Sequence, residues 1–143
     1  MDIKSLRIYS KIGLIIVIIG FCMPIACNSN GFQIAELGMN FAVGLGSSSI
    51  SGLNPLSLAL YGIFLFSCLG AVLLLFLVIG KSISMKWDWF SMIGVIASTA
   101  IAIYRCSRGG FNIKIFQSGA YVMLIGIIIA LIFICMTNTK NKT

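Results

Sequence analysis

Five cysteines, three carboxylates and no histidine are all the chain holds for nucleophilic, redox or acid–base chemistry. General acid/base pairs, Ser-His triads and zinc centres are built from imidazoles and grouped carboxylates, and that stock is nearly empty here. The cysteines stand at 22, 27, 68, 106 and 135 with no C-x-x-C among them, which gives a thiol oxidoreductase little footing. No nucleotide motif and no metal-ligand spacing is present, so the sequence predicts a protein that is not an enzyme and carries no cofactor. Two constellations remain. Cys27 and Cys106 fall at the same ends of their apolar runs, where an oxidising compartment lets a disulfide form if the geometry allows. Gln33, Glu36 and Asn40 recur at helical spacing with Phe41 beside them, a set suited to contact with a partner or a cationic solute.

The elements that must position these residues are apolar. Hydrophobic residues make up 59% of the 143, and charged residues 9% against about 25% in a soluble domain. A net charge of +7 does not point to nucleic acid, because the cations lie between apolar runs rather than on one polar face. Scanning for charge-free stretches long enough to cross about 30 Å of hydrocarbon predicts four spans, at 12–27, 55–80, 89–104 and 118–137. The expected fold is an all-α membrane protein: one integral domain, a four-helix bundle whose first two helices are joined by an amphipathic extracytoplasmic segment, 28–54. No span drawn this way contains Asp, Glu, Lys or Arg, whereas ion-coupled transport usually places one at depth.

Orientation follows from the loops that carry Lys and Arg. With both termini inside, the inner side collects Lys4, Arg7, Lys11, Lys81, Lys86, Lys140 and Lys142, and the outer side Arg105, Arg108 and Lys114. A fifth span through 32–46 would weaken that bias and bury Glu36 in lipid at a cost of about 2.5–3.5 kcal/mol. The expected location is a bacterial cytoplasmic membrane.

The outer segment reads two ways. As a helix, Gln33, Glu36 and Asn40 form a polar stripe beside Ile34, Leu37, Phe41 and Leu45; as a strand, Leu37, Met39, Phe41, Val43 and Leu45 alternate. The polar stripe favours a helix at the interface or dipping into the bundle, and Glu36 could pair with Arg105 or Arg108.

Small residues recur at helical spacing within the spans. Gly94, Ser98 and Ala102 repeat in the third, Gly126 and Ala130 in the fourth, and Gly13, Gly20 and Cys27 every seven residues in and after the first. Such stripes let helix backbones approach closely, within one bundle or between subunits. The stretch from Lys4 to Cys27, basic and then apolar and ending Pro24-Ile25-Ala26-Cys27, resembles bacterial lipoprotein signals, which would lipidate Cys27. The layout is also similar to the tetraspan arrangement of claudins, whose marker Trp and paired Cys this loop lacks. Taken together, the sequence predicts a non-catalytic multi-pass membrane protein. It would serve as an accessory or assembly subunit with a membrane-protein partner, or as a small oligomeric transporter or channel, and in either case touches lipid and not nucleic acid.

Overall fold

The computed structural model describes residues 2–36, 55–108, 114 and 116–142. Four long helices carry the chain: α1 (Ile3–Cys22), α2 (Pro55–Val78), α3 (Met85–Arg108) and α4 (Ser118–Lys142). Each is long and apolar enough to cross a membrane, α1 over 20 residues, or about 30 Å, and α4 over 25. The protein is an all-α four-helix bundle and an integral membrane protein.

Helix bounds depart from the charge-free windows for local reasons. α1 stops at Cys22 because Pro24 cannot continue a helix and forces its predecessor out of it: Met23 is extended at φ −80°, ψ 162°. At its other end α1 runs through Lys11 and Arg7 to Ile3, so both cations sit inside the helix. α2 ends in a Schellman turn at Gly80, φ +90°, where Lys81 N–H donates to Phe76 O at 3.0 Å and Gly80 N–H to Leu77 O at 3.3 Å. α3 begins after Ser84, whose Oγ accepts the Lys86 N–H, and takes in Asp88. α4 continues through the polar tail to Lys142, with Thr137 and Thr139 hydroxyls donating to Phe133 O and Cys135 O, and Lys140 and Lys142 in the last turn facing the negative end of the helix dipole.

The helices alternate in direction. α1 is the central strut, packed most closely on α4 and also on α2, while α2 packs on α3 and α3 barely touches α4. α1 and α3 therefore stand diagonally across the bundle, and the seam between α3 and α4 is open.

Small residues decide the α1–α4 contact. Gly13 faces Gly126 and Ala130, and Gly20 faces Gly119 and Met123, so the pair runs antiparallel. A Cβ on Gly13 would lie 2.6 Å from the Ala130 nitrogen, and one on Gly126 2.7 Å from the Gly13 oxygen. The close approach also lets Ser10 Oγ donate to Ala130 O at 2.9 Å. The heptad glycines of α1 and the small residues of α4 are thus two halves of one contact, made where only dispersion and short polar contacts can drive association. Cys27 lies beyond the helix end and takes no part. On α3, Gly94 receives the Phe66 ring and Ser98 packs against Gly62, both from α2.

Two apolar cores result. One, toward the end where α1 finishes, gathers Val17, Phe21, Leu60, Ile63 and Met123; the other, toward the termini, gathers Leu14, Met92, Val95, Ala130 and Ile134. Gly13→Val and Gly126→Val should each lower stability by about 1–3 kcal/mol or more by overpacking, measured as the thermal midpoint in detergent, whereas Ile128→Val on the lipid-facing surface should change it by less than about 0.5 kcal/mol.

Candidate functional site

Charge is concentrated at the end of the bundle that holds both termini. Arg7 and Lys11, four apart, share one face of α1, and Asp88 lies in the first turn of α3, where the helix dipole favours an anion. The three meet across the bundle's diagonal. Arg7 Nε donates to Asp88 Oδ2 at 2.6 Å and Arg7 Nη2 to the Ile83 carbonyl at 2.9 Å, while Lys11 Nζ lies 2.7 Å from Asp88 Oδ1. Lys11 and Asp88 side chains are 2% and 3% exposed, and Arg7 15%. Lys11 and Asp88 thus form an ion pair within hydrogen-bonding distance. A buried charge is tolerated only with a partner, and here one carboxylate serves two cations, the buried Lys11 and the partly exposed Arg7.

The expectation that no membrane helix contains an ionisable residue is therefore corrected. Treating each charge as the end of a span hides the charges that helices carry inward in pairs. The signal was in the chain: Arg7, Ser10 and Lys11 lie on the α1 face that turns into the protein, and Asp88 sits between Trp87 and Trp89.

The opposite end is closed by a turn and a short helix. Ala26–Ser29 is a two-residue hairpin in which Ser29 N–H donates to Ala26 O at 2.9 Å and the central residues Cys27 and Asn28 have φ 51° and 58°. Gln117 fastens this hairpin to the start of α4. Its side chain exchanges hydrogen bonds with Asn28 at 2.9 and 3.0 Å, and its N–H donates to Ile25 O at 2.7 Å. Asn30 then caps the helical residues 31–36 reciprocally with Gln33: Gln33 N–H donates to Asn30 Oδ1 at 2.9 Å, and Asn30 N–H to Gln33 Oε1 at 3.0 Å. This segment is helical where described, and it docks into the bundle. Phe32 enters a three-ring cluster with Phe21 and Phe64, centroids 4.7–5.5 Å apart, and Ser57 Oγ donates to the buried Ala35 carbonyl at 2.8 Å.

The sequence-predicted set is divided by this arrangement. Gln33 is spent on the cap, Glu36 is exposed on the last described turn, and Asn40 and Phe41 lie outside the described residues. Arg105 is exposed, and the side chain of Arg108 lies outside the described residues. Cys27 and Cys106 are both free thiols, Cys27 in the exposed hairpin and Cys106 on a cavity wall that the neighbouring Ala26 also lines.

That cavity is the feature sequence reasoning did not foresee. It occupies about 370 Å3 between α2, α3 and α4 beneath the hairpin. Its floor is Leu60, Ile63, Ala102 and Met123 of the apolar core. The hydroxyl of Thr99 on the wall is already spent on Val95 O at 2.8 Å. The cavity exists because α3 leans on α2 and not on α4.

The fold and these two features define a multi-pass membrane protein with a sealed charge cluster at one end and an apolar cavity at the other. Comparison with protein-family models, with curated proteins and with solved structures finds no match.

Asp88→Asn should destabilise the protein by about 3–5 kcal/mol, because it strands Lys11 and Arg7 in a buried site. Lys11→Met with Asp88→Leu should recover the part of that loss due to the fully buried Lys11, leaving only the partly exposed Arg7 without its carboxylate. Thermal midpoints of the single and double variants in one detergent check both statements; equal losses in the single and double variants would contradict the pairing.

Proposed function

We propose that this protein is a non-catalytic subunit of a membrane complex, an accessory or assembly component that works by contact rather than by passing a solute or making a bond. One observation carries the reading: the bundle axis is closed at both ends. The ring cluster of Phe21, Phe32 and Phe64 fills it at one end and the Arg7–Asp88–Lys11 triad at the other. Between them the hydroxyls of Ser10 and Ser91 are spent on helix carbonyls and, among the described residues, Ser67 Oγ alone is a buried hydroxyl without a partner, which leaves little to replace the hydration of a moving ion.

The contact surface in this reading is the outer segment, which residues 31–36 begin. The Asn30–Gln33 cap and the Ser57–Ala35 bond hold its start on the bundle, and Glu36 stands exposed on its last described turn. Orientation is part of the same proposal. Exposed Lys4, Lys81, Lys86, Lys140 and Lys142 gather at the end holding the termini, against exposed Arg105 and Lys114 at the other, a bias that supports cytoplasmic termini, in a bacterial inner membrane.

Purification of the tagged chain from its native membrane in a mild detergent, followed by native mass, tests the proposal. A second polypeptide at fixed stoichiometry is expected, lost in Glu36→Lys and in Phe41→Asp while the thermal midpoint stays unchanged. A homo-oligomer alone, with solute flux abolished by Glu36→Gln, would replace the proposal with a small oligomeric transporter or channel.

A further inference from the structure

The cavity between α3 and α4 opens sideways. Ile103, Tyr121 and Leu124 form part of its wall and are also 55%, 52% and 42% exposed on the flank of the bundle, the surface that four membrane helices turn toward hydrocarbon. This part of its wall is therefore reached from the bilayer. Water is a poor occupant, because a buried water needs two to four polar partners and Thr99 has already spent its hydroxyl within α3. At about 370 Å3 the space is in the range of ligand pockets, and more than twice the roughly 150 Å3 of an apolar cavity that takes up benzene.

Two cations lie close along the chain to residues of this wall. Exposed Arg105 directly precedes the wall residue Cys106, and exposed Lys114 lies two residues before the wall residue Phe116, both at the hairpin end where the helices reach the headgroup level. Tyr121 on the rim adds an amphipathic ring of the kind that settles at that depth. An apolar slot facing lipid, on the end of the bundle that also carries two exposed cations, matches one class of molecule.

We propose that the cavity is a binding site for an anionic phospholipid, one acyl chain lying between α3 and α4 and the phosphate held near Arg105 and Lys114. The chain gains by leaving no apolar wall unfilled, and the headgroup supplies the selectivity, each cation near the surface strengthening the attraction to an anionic lipid.

The test is native mass spectrometry of the delipidated full chain in detergent, titrated with phosphatidylglycerol or with phosphatidylcholine of identical acyl chains. The wild type should take up one phosphatidylglycerol at about tenfold or more lower concentration than phosphatidylcholine. Arg105→Gln with Lys114→Gln should bring the two lipids to equal affinity. Ala102→Phe, which fills the floor, should weaken both by about tenfold or more. Should Ala102→Phe not fold, Leu124→Trp at the exposed rim should give the same loss by covering the mouth. Absence of a bound lipid, equal binding of the two lipids by the wild type, or undiminished binding in a folded cavity variant would each overturn the proposal. None of these outcomes bears on whether a protein partner co-purifies, so the lipid site and the accessory role fail separately.

Discussion

Placing Lys11 and Asp88 inside a membrane helix bundle is the constraint that orders the rest of the structure. Either charge alone would be costly in that position, and together with Arg7 they are tolerated because one carboxylate lies within 2.6–2.7 Å of both cationic groups. The pairing requires the termini end of α1 to meet the first turn of α3 across the diagonal. α3 is thus anchored by charge at one end and by apolar contact with α2 along its length.

Two different kinds of adhesion follow, each suited to its place. α1 and α4 come together through glycine backbones, close enough for Ser10 Oγ to donate to Ala130 O, and make the tightest contact in the bundle. α1 and α3 come together through ions, which tolerate a longer reach between axes. With α4 drawn onto α1 and α3 held on α2, the seam between α3 and α4 is filled toward the termini, where Met92 and Val95 share a core with Ala130 and Ile134, and is left weak toward the hairpin end. The cavity at the hairpin end is the consequence, and the side chains around it are apolar because that flank faces hydrocarbon.

Much of the fold was legible in the chain. Runs of apolar residues between basic loops sufficed for four helices, and the stripes of Gly126, Ala130, Gly94 and Ser98 marked contact faces. Helix ends were less legible, because a charge was read as a boundary when it is one only if water reaches it; Lys11 and Asp88 have each other instead. Pro24 was the better stop signal than the absence of charge as far as Cys27. The helical pattern of the outer segment holds over 31–36, where the Asn30–Gln33 cap, visible as an Asn followed three residues later by Gln, starts a helix; the alternating pattern from Leu37 to Leu45 lies outside the described residues. The cavity was not legible at all, since it arises from the weak α3–α4 contact and no single residue encodes it.

The most direct measurement of this account is the distance between spin labels on the lipid-facing positions Ile101 of α3 and Ile128 of α4, in a chain whose five cysteines are replaced, with and without Asp88→Asn. If the triad fixes α3 relative to the rest of the bundle, the intact chain gives one narrow distance distribution, and Asp88→Asn broadens or shifts it. An unchanged narrow distribution in the variant would contradict the account, because α3 would then be held in place without the buried charges.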